Sequence, residues 1–488
     1  MKLRSKIFLL GFLLCIPFSW AAKVNLKAEK LVLDNGLTVL LHENTQAPTV
    51  ACRLFYATGS VHEKPGQSGL AHMLEHMLFK GTKKIGITDS IADAAFLAQE
   101  DSLRALSREA FARQDSASAL RFIAQHDSIQ EVHRQLFIKD ELWESYLNAG
   151  GTGLNAYTSA LVTAYHVTLP KNKVELFLWL ESDRMENAVL REFYPERDVV
   201  REERRMRYDD SPTGRYFESL KATFYEAFPY RIPTIGWAED INNYSRELAV
   251  DHYQKYYKPN NAILVFAGDF NSAELIPKIK KYFAPIPRGS EFPPLIMNEP
   301  EAAGEKRLVV RRNDSKPRLD MLFHTPAVGS PEIFALDIAE NVLNGRSGRL
   351  HRRLVEQEQL AVAAGAANNI KPYMSSFELS VILREGVEHQ KVEKIVWEEL
   401  QKLADEPVSD RELQRVRNSI IASQVRSFRN MEHVATIMAY YELYGDWNLV
   451  NRWLDEVAQI SPAEVQAAVQ KYLQRNRATI GYMKAEEP

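Results

Sequence analysis

Short apolar or alternating segments, separated by turn residues, predict several β-strands. Residues 31–41 predict a β-hairpin, because Asn35-Gly36 is a strong signal for a tight turn. The mostly apolar segment 50–58 predicts a buried strand, and residues 155–159 and 164–169 predict a further pair of strands. Apolar residues at helical spacing lie between these segments, so the pattern favours a mixed α and β protein.

The pattern changes between residues 88 and 147, where glycine and proline are absent and alanine, leucine, glutamine and charged residues dominate. This composition predicts long, highly charged helices, and we expect a helical hairpin that leans out of its domain. Such an element can dock a partner or gate a site. A solvated insertion without a role is equally consistent with the composition.

Two segments of the chain resemble each other, and their matching positions all fall at one constant offset. Residues 245–262 end in Gln-Lys-Tyr-Tyr-Lys-Pro-Asn-Asn-Ala, and residues 461–478 end in Gln-Lys-Tyr-Leu-Gln-Arg-Asn-Arg-Ala. Each segment predicts a helix followed by an apolar strand, and similarity at one offset indicates duplication of a whole α+β unit. We therefore predict two homologous lobes, residues 22–290 and 306–488, with a Pro- and Glu-rich linker at 285–305.

Length and charge narrow the class of protein. A chain of 488 residues predicts two or more domains. The formal net charge of −3 gives no reason to expect nucleic-acid binding or a patch for an anionic membrane.

The N-terminus predicts a secretory signal peptide at residues 1–21. Lys2, Arg4 and Lys6 precede an apolar run that is short for a membrane span, and small residues favour cleavage after Ala21. We expect a secreted, periplasmic protein without stable membrane insertion after cleavage; a retained N-terminal anchor is the alternative. Cleavage would leave Cys52 as the single cysteine, so an internal disulfide is excluded.

The segment Gly69-Leu-Ala-His-Met-Leu-Glu-His-Met-Leu-Phe-Lys-Gly81 predicts one helix, with Ser68 as its N-cap and Gly81 as its C-terminal stop. His72 and His76 lie four residues apart, which is about 40° around a helix, and Glu75 projects from the same side. Two imidazoles can take two corners of a tetrahedral zinc site, and a neighbouring carboxylate can act on a metal-bound water. This order of residues is the H-x-x-E-H arrangement.

An amphipathic helix with two polar histidines at its edge is the alternative interpretation. The apolar neighbours would partly bury this His-Glu-His patch, and buried ionisable groups are costly unless they are paired or bound to a metal. A purely structural zinc site would be closed by four protein ligands, and no fourth ligand, Cys or His, lies nearby in the sequence.

Four motifs in the same order together resemble the pitrilysin/insulinase family of inverted zinc peptidases. They are residues 69–81, Leu-Asn-Ala-Tyr-Thr-Ser at 154–159, Glu-Arg-Asp-Val-Val-Arg-Glu-Glu at 196–203, and residues 259–269. The half-size branch, which includes the mitochondrial processing peptidase subunits, is the most similar. The resemblance implies an α+β fold of two lobes in a clamshell, with antiparallel-rich sheets packed with helices and the insertion in the first lobe.

The resemblance also implies the remaining site residues. The third ligand of the family is a glutamate seven residues beyond another acidic residue, so Glu203 is the expected ligand and Glu196 the carboxylate that orients a ligating histidine. Glu202 is the rival ligand. Asn155 and Ala156 match the edge strand that holds peptide substrate by β-augmentation, although an ordinary strand end is the alternative.

The implied function is zinc-dependent endopeptidase activity on unfolded peptides, with one zinc per chain bound by His72, His76 and Glu203. Glu75 is expected to act as general base on the zinc-bound water. A catalytically silent peptidase-fold subunit for binding or assembly is the alternative. Inactive relatives lose ligands or the base, whereas this sequence retains all of them.

One departure from the family pattern concerns the second lobe. The lobe that faces the zinc often supplies an arginine and, seven residues later, a tyrosine, but Val355 and Val362 stand in those places. The second lobe also has Leu336, Ala339 and Glu340 where the first has its His-Glu-His set. We therefore expect a homologous second chain to complete the site in a heterodimer, with a homodimer as the alternative.

Overall fold

A computed structural model of the protein describes residues 25–292, 295, 297–312 and 316–485, and the predicted signal peptide lies outside these residues. The strands are β1 Glu29–Val32, β2 Thr38–Glu43, β3 Thr49–Tyr56, β4 Thr152–Thr158, β5 Thr163–Pro170, β6 Ala262–Gly268, β7 Lys306–Arg311, β8 Arg318–Thr325, β9 Ala361–Asn369, β10 Ser375–Leu383 and β11 Ala478–Lys484. The helices are α1 Leu70–Met77, α2 Ser90–Ala112, α3 Ser116–His133, α4 Glu141–Asn148, α5 Val174–Asn187, α6 Phe193–Arg204, α7 Pro212–Phe224, α8 Ala238–Asn242, α9 Arg246–Tyr256, α10 Ser272–Phe283, α11 Glu332–Leu343, α12 His389–Asp405, α13 Asp410–Ser427, α14 Met431–Leu443, α15 Leu449–Gln459 and α16 Pro462–Tyr472.

The strands form two mixed sheets that share one order of five strands, and the first sheet has β1 as an additional strand. The first sheet has the order β1-β2-β6-β3-β5-β4, and the second has the order β7-β11-β8-β10-β9. In each sheet one pair is parallel, β2 with β6 and β7 with β11, and the other pairs are antiparallel. Helices pack against both sheets, so the predicted α+β fold with two homologous lobes is confirmed.

The predicted hairpin and the internal repeat are both present. Strands β1 and β2 pair around the turn at Asn35-Gly36, where Gly36 has a φ of 91°. Helix α1 corresponds to α11 in the second lobe, and β6 corresponds to β11. The chain between α1 and β6 is longer than the chain between α11 and β11, because the first lobe carries the insertion.

The insertion is a helical hairpin of α2 and α3, but it lies along the first lobe instead of leaning away from it. His133 bridges Glu100 at 2.8 Å and Asp93 at 2.9 Å, and Arg191 contacts Asp93 at 2.7 Å. Farther along α2, Asp101 pairs with Arg246 at 2.6 Å. The charged groups at the contact between the hairpin and the lobe neutralise one another. This pairing matters because an unpaired buried charge is far more costly than a paired one.

The two lobes exchange helices. Helix α14, from the C-terminal half, covers the outer face of the first sheet, where Met438 packs in one buried cluster with Phe55 and Val265. Helix α7, from the N-terminal half, contacts the second sheet, where Tyr216 donates a hydrogen bond to Asp320 at 2.8 Å. The lobes are therefore joined through two apolar layers rather than through the linker alone.

The predicted linker is bound to the surface of the first lobe in its described part. The Glu299 carboxylate accepts hydrogen bonds from the backbone N–H groups of Ala227 at 3.0 Å and Phe228 at 2.8 Å. Phe292 stacks on Tyr256 with 5.7 Å between ring centroids. The lobe limits at residues 290 and 306 stay a prediction. In the described part of the chain, no helix has the length and apolar character that a membrane span requires.

We expect Met438→Ala to lower the free energy of unfolding by about 2–5 kcal/mol, because it opens a cavity between α14 and the first sheet. Urea denaturation followed by circular dichroism would measure the change. The matched control is Met297→Ala, since Met297 is 48% exposed and its loss should cost less than about 0.5 kcal/mol. Equal effects of the two substitutions would contradict the exchanged-helix packing.

Candidate metal centre

Helix α1 begins one residue later than predicted and ends before Gly81, at Met77. Its N-cap is Gly69 and not Ser68, and the φ of Gly69 is 92°. A side chain at Gly69 would meet the carbonyl oxygen of Ile235 at 2.3 Å, so only glycine fits there. The Ser68 hydroxyl instead donates to Asp240 and accepts from the Trp237 backbone N–H.

A carboxylate from outside the helix takes over the capping role predicted for Ser68. Glu63 accepts hydrogen bonds from the backbone N–H groups of Gly69 at 2.6 Å and Ala71 at 2.8 Å. These bonds satisfy two of the N–H groups that the start of a helix leaves unpaired, while burial raises the pKa of Glu63 to about 8. The start of the histidine helix is therefore held by a side chain of the preceding loop, which fixes where the helix side chains point.

His72, His76 and Glu203 lie together where α1 and α6 meet. Glu203 Oε2 is 3.7 Å from His72 Nε2 and 3.3 Å from His76 Nε2. One donor atom from each residue lies within 4.8 Å of the others, and no other group of three or more His, Cys, Asp or Glu side chains in the described ranges meets this criterion for holding a metal ion.

The carboxylate of Glu196 fixes the second histidine. Its Oε1 lies 2.8 Å from His76 Nδ1, and its Oε2 pairs with Lys80 Nζ at 2.7 Å. Because Nδ1 faces a carboxylate, the other ring nitrogen, Nε2, is directed at Glu203. This is the arrangement by which a second carboxylate orients a metal-binding imidazole.

Glu75 lies beside the three donors but contacts a different element. Its Oε2 accepts a hydrogen bond from Thr158 Oγ1 at 2.6 Å, at the end of β4. Both residues line a cavity of about 560 Å³ that also contains His72, His76 and Glu203. The cavity therefore brings a carboxylate, an edge strand and the cluster of possible ligands together.

The electrostatics of the cluster favour a cation. Burial lowers the pKa of His72 to about 4, so its imidazole is neutral at pH 7. Burial would also lower the pKa of His76, but hydrogen bonds with Glu196 and Glu203 outweigh it and raise the pKa to about 9. Burial opposes ionisation of Glu196, yet its bonds with His76 and Lys80 bring the pKa to about 2. The proton on His76 Nε2, which faces Glu203, thus occupies a place that a metal cation can take, while Glu196 stays bound to Nδ1.

The catalytic candidate differs from these carboxylates. Burial raises the pKa of Glu75 above its usual value, although the hydrogen bond from Thr158 opposes the shift. A carboxylate with a raised pKa is a stronger proton acceptor than an exposed one.

The donor set fits zinc. Two imidazole nitrogens and one carboxylate oxygen converge, and such mixed N/O sets of three are typical of zinc sites that leave one position for water or substrate. Soft thiolate ligands are not part of the set, because the one described cysteine, Cys52, is buried inside the first sheet.

The rival ligand lies elsewhere. Glu202 is exposed and binds Arg205, whose Nε donates to Glu202 Oε2 at 2.9 Å. The structure therefore brings Glu203, and not Glu202, to the two histidines. The reason is the helical period, because adjacent residues on α6 point about 100° apart.

Asn155 and Ala156 lie on β4, which is one of the two outer strands of the first sheet. Both line the cavity, and the Ala156 backbone N–H is bound by the side chain of Asn155 at 2.9 Å. One side of this strand has no neighbouring strand in the described sheet, so its backbone can pair with an extended peptide.

The second lobe holds no equivalent cluster in the part of the chain that the structure describes. On α11, Glu340 Oε2 instead accepts a hydrogen bond from the backbone N–H of Asn368 on β9 at 3.1 Å. Val362 is 57% exposed on the same strand. The second lobe thus keeps the helix and the edge strand, and the Glu340 carboxylate links α11 to β9 by this hydrogen bond.

Three residues at the site were not predicted from the sequence. Lys80 and Arg207 each lie four residues after a site residue, His76 and Glu203, and Arg207 Nη1 contacts Glu203 Oε1 at 2.8 Å. Thr158 lies two residues after Ala156 on one face of a strand. The four-residue spacing on a helix and the two-residue spacing on a strand were therefore the sequence signals that could have indicated these three residues.

Comparison with known proteins gives two family models and several full-length relatives. The model described as Insulinase (Peptidase family M16) matches residues 38–95, and the model described as Peptidase M16 inactive domain matches residues 243–420. The chain is 26% identical over 467 residues to the zinc protease PqqE of Helicobacter pylori, covering 94% of this chain and 93% of that protein. It is 24% identical to the probable mitochondrial-processing peptidase subunit beta of Schizosaccharomyces pombe, over 69% of this chain and 65% of that protein.

Solved structures show the same fold. A protease from Helicobacter pylori superposes with a TM-score of 0.80 at 25% identity, covering 94% of this chain and 100% of that one. The periplasmic protease PqqL of Escherichia coli gives a TM-score of 0.71 at 17% identity, over 95% of this chain and 48% of that one. This chain therefore corresponds to about half of PqqL, and that likeness concerns the fold alone.

We expect Glu203→Gln to lose zinc while the neighbouring Glu202→Gln retains it, because only Glu203 faces the two histidines. The zinc affinity of Glu196→Gln should lie between the affinities of these two variants. We expect it to be reduced about 10–100-fold, since Glu196 acts on the metal through His76. Zinc content after dialysis, and competition with a chelator, would measure the order. Equal zinc retention in the Glu203 and Glu202 variants would contradict this assignment.

Proposed function

This chain belongs to the insulinase family of peptidases, M16, and we propose that it is a zinc-dependent endopeptidase that hydrolyses unfolded peptides or oligopeptides. One observation carries the proposal. A complete set of two imidazoles and one carboxylate lies in the same cavity as a second carboxylate, Glu75, and an outer β-strand. Each chain would hold one zinc ion through His72, His76 and Glu203, with Glu196 orienting His76.

Zinc, when bound there, supplies a Lewis acid that polarises a peptide carbonyl and acidifies a water molecule. Glu75 then accepts a proton from the attacking water and returns it to the leaving amine. Thr158 holds one oxygen of Glu75 by its hydrogen bond of 2.6 Å, so the other oxygen is the one that exchanges the proton. The raised pKa of Glu75, caused by burial, suits both directions of transfer.

The edge strand and the cavity wall determine the form of the substrate. A peptide that pairs with β4 beside Asn155 and Ala156 must be extended, and backbone pairing imposes little sequence choice. Phe79 and Trp143 line the same cavity with 5.8 Å between ring centroids, so they offer an apolar surface to a substrate side chain. Both features favour unfolded peptides over folded proteins.

A catalytically silent subunit for binding or assembly is the alternative from a different class. The second lobe illustrates what a silent site looks like, because its glutamate binds a backbone N–H of the edge strand. In the first lobe Glu75, His72, His76 and Glu203 all face the cavity instead. This difference supports catalysis.

The chain is further proposed to be the zinc-bearing subunit of a dimer. Val355 and Val362 replace the expected arginine and tyrosine, and one relative is named as a subunit of the mitochondrial processing peptidase. A homologous chain would supply the missing pair in a heterodimer, whereas a homodimer would use other side chains. The basic and apolar N-terminus at residues 1–21 supports export to the periplasm, the compartment named for PqqL.

We expect Glu75→Gln to keep its zinc but to lose peptide hydrolysis by about 10²–10⁴-fold, because the metal ligands remain and the proton acceptor is removed. Hydrolysis of a mixed peptide pool, with the homologous partner added to the parent chain and to the variant alike, and zinc content would be measured on the same samples. The control is Asp140→Asn, which changes another carboxylate of the cavity and should leave the rate within a few-fold. A Glu75→Gln enzyme of normal activity would contradict the assignment of the base.

Light scattering during size-exclusion chromatography would test the dimer. We expect the purified chain to be inactive or weakly active alone and to gain activity with a homologous partner from its native extract. A stable, fully active homodimer would contradict the heterodimer.

A further inference from the structure

A second cavity, of about 910 Å³, lies between the two lobes and adjoins the catalytic one. Residues 159–161 from the first lobe and 365–371 from the second lobe form part of its wall. Thr158, which binds Glu75, lines both cavities. A peptide that extends along β4 past Thr158 would therefore enter this inter-lobe chamber.

Lys371 is a cation at the wall of the chamber, in the turn between β9 and β10. Its Nζ lies 4.6 Å from the ring centroid of Tyr230, which contributes a cation–π contact from the other lobe. Among the described residues, no carboxylate is close enough to Lys371 to form an ion pair with it. Burial lowers the pKa of Lys371 to about 8, with the charge of Lys221 adding to the shift and that of Glu378 opposing it.

The other charged groups of the chamber have partners or face solvent. Arg318 is held by Asp320 through bonds of 2.6 and 3.0 Å. Glu378 accepts a hydrogen bond from the Ser376 hydroxyl at 2.7 Å, and Lys221 is exposed. Lys371 is thus a partly buried cation of the chamber that pairs with no carboxylate of the described chain.

We propose that Lys371 binds a carboxylate of the peptide substrate within the inter-lobe chamber, at the free C-terminus or on an aspartate or glutamate side chain. The proposal rests on the peptidase function proposed above and adds a chemical preference to it. A partly buried ammonium gains most from a counter-charge, because water no longer solvates it fully. Tyr230 holds this ammonium at the chamber wall, so the position of the carboxylate would be fixed relative to Glu75.

Peptide binding to the zinc-loaded Glu75→Gln protein tests this inference without turnover. Fluorescent peptides of one sequence would be compared in two matched pairs: free C-terminus against C-terminal amide, and glutamate against glutamine at each position in turn. Both Lys371→Met and Lys371→Arg would be made in this background. Lys221→Met is the matched control, since Lys221 lines the same chamber but is exposed.

We expect Lys371→Met to weaken binding of the preferred carboxylate peptide about 10–100-fold and to leave its neutral counterpart unchanged. Lys371→Arg should keep the preference, and Lys221→Met should not remove it. The peptide pair whose difference in affinity disappears in Lys371→Met shows whether the carboxylate belongs to the C-terminus or to a side chain.

The inference is wrong if the parent protein binds carboxylate and neutral peptides equally, or if Lys371→Met weakens both equally. Zinc content and circular dichroism of each variant would show that the fold persists. Failure of the wild-type chain to cut any peptide, even together with its homologous partner, would count against the proposed peptidase function instead, because the binding assay does not depend on hydrolysis.

Discussion

The contact between α1 and α6 is the constraint on which the site depends. Two histidines on one helix offer two donors, but only Glu203, from a helix much later in the chain, converges with both of them. The ion pair of Glu196 with Lys80 and its hydrogen bond with His76 join the same two helices a second time. Two of the carboxylates on α6 therefore do different work, one as a donor to the cluster and one in fixing an imidazole.

The surrounding fold keeps these two helices in place. Arg191, just before α6, donates to the carbonyl oxygens of Lys80 and Ile85 in the segment that follows α1. Its charge is neutralised by Asp93 of the insertion. The insertion thus contacts a residue that supports the site directly. The composition of the insertion alone did not indicate this contact. The exchanged helices α7 and α14 fix the two lobes around the chamber in a similar way.

The parts that sequence analysis predicted are those determined by local spacing. His72, Glu75 and His76 fall on one helix face, and the duplicated segments indicate two lobes, whose sheets share one order of five strands. The prediction of Ser68 as the N-cap was wrong, because Gly69 holds that position. The group that binds its N–H is the Glu63 side chain, which no local capping pattern indicates. The bridge from Asp93 to Arg191 depends on tertiary packing, so no local signal points to it. Strand spacing places Thr158 on the same face as Ala156, but its bond with Glu75 also depends on tertiary packing.

The central claim is that His72, His76 and Glu203 hold one zinc ion in each chain. A crystal structure of the mature, zinc-loaded chain, with an anomalous difference map at the zinc edge, tests it most directly. We predict a single peak about 2.0–2.2 Å from His72 Nε2, His76 Nε2 and a Glu203 oxygen. A map with no peak between α1 and α6, or with its peak on other residues, would contradict the account.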